Sequence, residues 1–288
     1  MLEVLRAGPL TTVQDLGRPG YAHLGVPRSG ALDQPALLAA NTVVGNAPDA
    51  AGLEITLLGC TLRARSSIVI AVTGAYADVR VNAAPAPFAT ALELHADDEV
   101  HIGRTRYGVR TYLAVAGGID VPPVLGSRST DTLSGLGPKP LRDKDILPTG
   151  APSTRDSSVG PHRELPAGGE VVLRVRPGPR EDWFVAGAFG VLCGSAYTVT
   201  PLSNRVGARL AGAALTRAVA GGLSPELPSE GLVLGAVQVP ADGQPLVFLA
   251  DHPTTGGYPV IAVVHPADLS RLAQARPGAS VLFHGPQR

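Results

Sequence analysis

Residues 227–264 read LPSEGLVLGAVQVPADGQPLVFLADHPTTGGYPVIAVV, and this stretch alternates apolar runs with short polar, glycine-rich breaks. Val233 to Val239 and Pro245 to Ala250 are rich in β-formers, and Ala241-Asp242-Gly243 between them has hairpin chemistry. A third strand is expected over Tyr258 to Val264. The break before it, Asp251-His252-Pro253-Thr254-Thr255-Gly256-Gly257, is entered directly from the second strand. Three closely spaced strands predict a mainly β fold. Polar side chains gathered at the edge of an apolar sheet are also how a small-molecule site is commonly built. The alternative is a plain polar loop in which Gly256-Gly257 only turns the chain.

Outward from this stretch the same pattern recurs. β-patterned segments run over Leu2 to Arg6, Ser67 to Val72, Asp78 to Val81, Glu99 to Ile102 and Val109 to Ala116. They return at Val171 to Val175, Ala196 to Val199, Arg205 to Leu210 and Ser280 to Phe283. Three helices are expected. One is capped by Asp33, has Pro35 in its first turn, and runs to Val44 before Gly45-Asn46. A second starts at Pro179 and runs to Phe184, with Glu181 and Asp182 in the first turn, where the helix dipole favours them. A third covers Pro266 to Gln274. The turn-rich stretch at 151–169 reads as a linker between an N-terminal β-barrel-like unit (1–150) and a C-terminal one (170–288). Ala7-Gly8-Pro9 after LEVLR and Pro177-Gly178-Pro179 after VLRVR hint that the two units are related.

Composition narrows the functional classes. The 288 residues carry no net charge and only 17% charged side chains, so no electrostatic footprint for nucleic acid or an anionic membrane exists. Glycine (35) and proline (27) abound without a low-complexity tract, which fits many short strands joined by tight turns. The N-terminal residues lack the apolar core of a signal peptide and no run is long enough to span a membrane, so a soluble, cytoplasmic protein is expected. Cys60 and Cys193 form no CxxC pair and read as core residues of a protein in a reducing compartment.

Absent motifs say as much. No GxxxxGK[ST] run cradles a phosphate, and no HExxH or CxxC pair marks a metal site, so no metal is expected. A Ser-cisSer-Lys amidase needs a lysine beside a Gly/Ser-rich stretch, and neither Lys139 nor Lys144 has one. No GxSxG elbow occurs, and no lysine is flanked by methionines as biotin carriers require. Any ATP or biotin chemistry therefore needs other chains.

Four polar clusters remain. Gln14, Asp15, Arg18 and Ser29 lie on a proline-stiffened loop ahead of Asp33 and Asn41. They either hold a carboxylate or a ureide, to which arginine makes paired bonds, or simply tie the strands to the first helix. Ala116 to Asp120 and Gly126 to Asp131 form the second cluster, in which Arg128 and Asp131 are placed to pair with each other. Asn204 and Arg205 enter a strand, as rim residues or as ligands. The fourth is the opening stretch, with Glu226 just upstream and Ser229, Glu230 and Gln238 within it. Its carboxylates suit a general base or a group that orients an amide.

Seven segments, TVQDLGRPGY, GVPRSGALD, AVAGGID, LGSRSTDT, PLSNRVG, ELPSEGLVLGAVQVP and ADHPTTGGYPVIA, occur in the order seen in one family. The chain resembles allophanate hydrolase subunit 2, also called the 5-oxoprolinase C subunit or the KipA-type proteins. A related region lies in the carboxyltransferase domain of urea carboxylase. The resemblance implies two cyclophilin-like β-barrel units with a few short helices. It also implies a subunit 1 (KipI-type) partner, with a third hydrolase subunit in some complexes. The activity implied is cleavage of a ureide or lactam, with ATP acting in the complex. It places Asp251, His252 and Glu230 as candidate catalytic residues. Gln14, Asp15, Arg18, Asn204, Arg205, Thr254, Thr255 and Tyr258 become candidates for binding a small amide substrate. Two other readings stay open: a biotin-dependent carboxyltransferase module acting on urea or a similar amide, and a non-catalytic KipA-type regulator binding a KipI-like kinase inhibitor.

Overall fold

A computed structural model describes residues 1–152, 169–218 and 227–286. Most of the expected linker, and Glu226, lie outside the described residues. The chain forms two compact units, one of residues 1–18 and 29–167, the other of residues 19–28 and 168–288. The first holds β1 (Leu2–Arg6), β2 (Thr11–Gln14), α1 (Gln34–Val43), β3 (Gly52–Thr56), β4 (Cys60–Ala64) and β5 (Ile68–Gly74). It continues with β6 (Ala77–Val81), β7 (Ala84–Ala86), β8 (Leu92–Leu94), β9 (Glu99–Thr105), β10 (Arg110–Val115) and β11 (Ile146–Leu147). The second holds β12 (Val171–Pro177), α2 (Ala188–Gly194), β13 (Ala196–Val199), β14 (Gly207–Ala211), β15 (Glu230–Gly231) and β16 (Ala236–Gln238). After these come β17 (Leu246–Phe248), β18 (Thr255–Gly256), β19 (Val260–Val264), α3 (Leu269–Ala273) and β20 (Ser280–His284).

In the first unit a six-stranded sheet (β11-β1-β4-β9-β6-β7) and a five-stranded sheet (β2-β3-β10-β5-β8) share one core. Side chains of successive strand residues point to opposite faces. Leu113 and Val115 of β10 therefore enter the core between the sheets, while Tyr112 and Ala114 meet α1. With both faces covered, every residue of β10 is buried. Asp33 caps α1, its side chain accepting from the Ala36 N–H at 3.3 Å. Behind it, the Tyr112 hydroxyl donates to Glu54 Oε2 (2.7 Å) and accepts from the Asp33 N–H (2.8 Å), and Glu54 Oε2 also accepts from the Leu32 N–H (2.9 Å). Burial, and then the charge of Glu54, push the Tyr112 phenol well above its ordinary range. The neutral phenol is therefore the favoured form of this bridge.

The second unit is a closed seven-stranded barrel, β12-β19-β16-β17-β14-β13-β20. It closes through the parallel pairing of β12 with β20. The opening stretch supplies three neighbours, β19-β16-β17: β16 and β17 pair as its hairpin chemistry predicts, and β19 returns to the far side of β16. Gly243 turns that hairpin with φ +74° and its N–H on the Pro240 carbonyl at 3.1 Å. The two AGP/PGP repeats also have a shared physical reason. A Cβ on Gly8 would lie 2.1 Å from the Gly59 carbonyl oxygen, and one on Gly178 would lie 2.3 Å from that of Val260. Each unit thus ends its first strand with a glycine against a neighbour's backbone.

The second expected helix is only a 3₁₀ turn, Glu181–Trp183, and the true helix α2 starts at Ala188. Its sequence, AFGVLCG, lacks an acidic first turn and a side-chain cap, which is why the acidic turn before it drew the assignment. The third helix begins as a 3₁₀ turn, Pro266–Asp268, and continues as α3. None of the described helices is long and apolar enough to cross a membrane.

Candidate functional site

The first two sequence clusters, over a hundred residues apart, converge at the end of β2. Asp15 Oδ1 accepts from the Gly17 N–H (2.8 Å) and the Ser127 hydroxyl (2.6 Å), and also from the Ser129 hydroxyl. Its Oδ2 accepts from the Arg128 N–H at 2.6 Å. Arg18 is almost wholly buried, donating from Nε to the Val124 carbonyl (3.3 Å) and from Nη2 to that of Ser129. The Thr130 carbonyl accepts from Gln14 Nε2 and from the Ser29 hydroxyl, both at 2.9 Å. Two buried acceptors of this knot, Gln14 Oε1 and Thr130 Oγ1, have no partner among the described residues. Asn41 instead fastens the helix end, donating to the Ala50 carbonyl at 2.8 Å.

The expected Arg128–Asp131 pair does not form. Arg128 Nη2 bonds Asp120 at 2.9 Å, while Asp131 caps the next turn through the N–H groups of Leu133 and Ser134. The turn that follows immediately gives the aspartate these two backbone donors and the Ser134 hydroxyl (2.6 Å), which satisfy it without Arg128.

In the second unit, strand register separates the candidates. Gln238 faces Leu246 and Val260, whereas Ala236 faces Val263, so β17 leaves the barrel at the opposite end from where β19 enters it. Residues 251–259 must therefore return along the barrel. Halfway, β18 pairs with β15, and the Leu232 side chain above packs with Ala236, Phe248 and Val260.

Asp251, His252, Asn204 and Arg205 lie where β17 exits. Arg205 grips Asp251 with two bonds of 2.9 Å, Nε to Oδ2 and Nη2 to Oδ1, and both side chains are shut from solvent. The Asp251 N–H also donates to the Arg205 carbonyl (3.1 Å). Asn204 Oδ1 accepts from the Val206 N–H at 2.8 Å and so shapes the turn into β14. His252 Nδ1 lies 2.7 Å from the Pro253 carbonyl, which makes Nδ1 the donor.

Glu230 and Thr255 lie midway along the return segment, and Tyr258 lies at its other end. Glu230 pairs with both Arg180 Nε (2.9 Å) and Nη2. Thr254 contributes its carbonyl to the Leu232 N–H, and Thr255 is exposed, opposite Gly231. Gln238, nearly buried, donates to the Tyr258 carbonyl at 2.9 Å. The exposed Tyr258 ring carries the Arg217 guanidinium 5.3 Å from its centroid. Beside this end, a cleft of about 570 Å³ is lined by residues including Glu181, Asp182, Phe184 and Phe189. Arg180 and Arg217 escaped the sequence reading. Each is a lone arginine in a segment with weak strand pattern, and only the fold reveals its neighbours. Among the described residues no three His, Cys, Asp or Glu side chains gather as a metal cage.

Comparison with known proteins agrees with this architecture. Residues 24–285 match the family described as carboxyltransferase domain, subdomain A and B. The chain is 42% identical to the C subunit of 5-oxoprolinase from Escherichia coli over 98% of its own length and 90% of that protein. Among solved structures, the K. lactis urea amidolyase superposes with a TM-score of 0.90 at 30% identity. That match covers 99% of this chain but only 19% of the amidolyase. TTHA0988 superposes with a TM-score of 0.85 at 38% identity, over 98% of this chain and 55% of that one. Matched almost end to end by both sequence and fold, the chain belongs to the carboxyltransferase domain, subdomain A and B, family, alongside the 5-oxoprolinase C subunits.

Proposed function

We propose that this chain is the C-type subunit of a heteromeric, ATP-dependent 5-oxoprolinase and acts on the C–N bond of a lactam together with partner subunits. The observation that carries the reading is length. The match to the 5-oxoprolinase C subunit spans nine-tenths of that protein, whereas the urea amidolyase match is a fraction of a far larger chain. The geometry supports a shared site. Both candidate acids of the second unit, Asp251 and Glu230, are held by two-pronged arginine contacts, which suits them to hold the return segment in place. In this proposal Asp251, Arg205 and Asn204 position His252, Thr254 and Thr255. Within the first unit, Gln14, Asp15 and Arg18 form a rigid polar knot of their own, and the attacking chemistry is completed by a KipI-type subunit 1 and a third hydrolase subunit. ATP supplies the phosphoryl group that activates the lactam oxygen, and its binding is assigned to those partners because this chain has no phosphate-cradling loop.

Reconstitution tests the proposal. The chain, its subunit 1 partner and the hydrolase subunit are mixed with ATP and 5-oxoproline, each component is omitted in turn, and allophanate and urea serve as parallel substrates. Glutamate and ADP should form only in the full mixture. A stable complex that turns over none of the three substrates would instead mark the chain as a regulator. Activity on urea that requires carboxybiotin would favour the carboxyltransferase reading, which the fold match to urea amidolyase keeps in view.

A further inference from the structure

Arg217 differs from three other arginines of its unit that pair with carboxylates. Arg205 pairs with Asp251, Arg180 with Glu230, and Arg174 with Asp268. Among the described residues no carboxylate pairs with Arg217. Its Nη2 donates to the Val239 carbonyl, its Nε is buried without an acceptor among them, and its guanidinium lies on the Tyr258 ring. Burial holds its pKa below the usual arginine value, outweighing the charges of Tyr258 and Asp242, which act in the opposite sense. A partly desolvated cation with no carboxylate in contact is stabilised further when an anion arrives to meet it.

Its place in the fold is also suited to a ligand. Arg217 bridges Phe184 across two antiparallel segments, so the two side chains share one face. Phe184 lines the 570 Å³ cleft. The backbone on both sides is fixed by the Val185 N–H on the Thr216 carbonyl (3.1 Å) and the Ala218 N–H on that of Trp183 (2.9 Å). Tyr258 is anchored through its carbonyl by Gln238 and leaves its ring half-exposed.

We propose that Arg217, backed by the ring of Tyr258, is the recognition site for the carboxylate of a small, planar, amide-type substrate. With Nη2 committed to Val239 and Nε buried, the Nη1 edge of the guanidinium is left to make a charge-assisted bond to a carboxylate oxygen, and an aromatic face beside it suits a flat five-membered ring. This inference rests on the lactam-hydrolase reading above and adds to it the group that selects the substrate. Arg217 is a specificity residue here, with no part in bond cleavage.

The test compares 5-oxoproline with 2-pyrrolidinone, the same lactam without its carboxylate, in the reconstituted complex. Wild type should prefer 5-oxoproline. Arg217→Gln should raise KM for 5-oxoproline roughly 10- to 100-fold, the value of a charge-assisted contact, and leave kcat/KM for 2-pyrrolidinone unchanged. Arg217→Lys should recover part of the preference. An unchanged preference in both variants, with melting temperatures like wild type, would overturn the proposal while the lactam-hydrolase reading stood. A wild-type complex inactive on both lactams would count against that reading alone. Calorimetric titration of 5-oxoproline into the isolated chain then decides the inference. Binding at least tenfold weaker in Arg217→Gln supports it, and equal or absent binding overturns it.

Discussion

Asp251 has no exposed surface, and both of its carboxylate oxygens lie against one guanidinium that is itself buried. Such a pair contributes little net stability when intact, because desolvating two charges offsets their attraction. Removing one partner is different, since it strands the other charge in a dry site. Arg205→Leu should therefore cost roughly 3–5 kcal/mol in urea denaturation, while the double variant Arg205→Leu, Asp251→Leu should recover much of that loss. If the double variant is as unstable as the single, the pair contributes directional bonding that leucines cannot replace. The sequence made Asp251 and Arg205 visible as polar residues beside apolar strands, but not as partners. They are 46 residues apart, and only the pairing of β14 with β17 makes them neighbours.

Among the elements, the joint between β12 and α3 has the most specific chemistry. Asp268 accepts from the Arg174 N–H (2.9 Å) and from its Nε and Nη2 (both 2.8 Å), and so ties the turn before α3 to the barrel. These bonds, the side-chain ones first, hold the Asp268 carboxyl below its ordinary value although burial works against them. A carboxylate depressed in the folded state adds stability that is fully present above its unfolded pKa of about 4 and is lost as pH falls through the folded value. Wild type should thus exceed Asp268→Asn in melting temperature by a constant margin above about pH 5. The margin should shrink steadily below pH 4, and a margin that widens in acid would reverse the assignment. Elements of this kind were unevenly legible. Strong periodicity gave β1, β10, β12, β13 and β20 to within two residues and only the first four residues of β9, and Asp33 with Pro35 gave α1. β2 and β3 were missed because TTVQ and GLEIT are short and place polar side chains in buried positions, and β4 (CTLRA) because its alternation is short and begins and ends on small residues. Glu54 is the clearest instance, a fully buried glutamate in β3 held by Tyr112 and by the Leu32 N–H.

At the scale of the molecule, each unit encloses its own apolar interior. In the first, Ile102 packs with residues of both sheets. In the second, Ile261 of β19 is fully buried in the wall of the closed barrel. Chains built from two such interiors commonly depart from all-or-none unfolding. Replacing a buried isoleucine by alanine costs roughly 2–5 kcal/mol, and each kcal/mol moves the melting point of a unit this size by about 2–4 °C. Ile102→Ala and Ile261→Ala remove the same atoms from different interiors, so differences in side-chain chemistry cancel. Scanning calorimetry of the intact chain should resolve two transitions, one lowered by Ile102→Ala and the other by Ile261→Ala. A single transition that both substitutions lower equally would mean that the units unfold as one cooperative body. Arg217 would then respond to events anywhere in the chain, and the titrations proposed above would have to be compared at matched distance from the melting temperature.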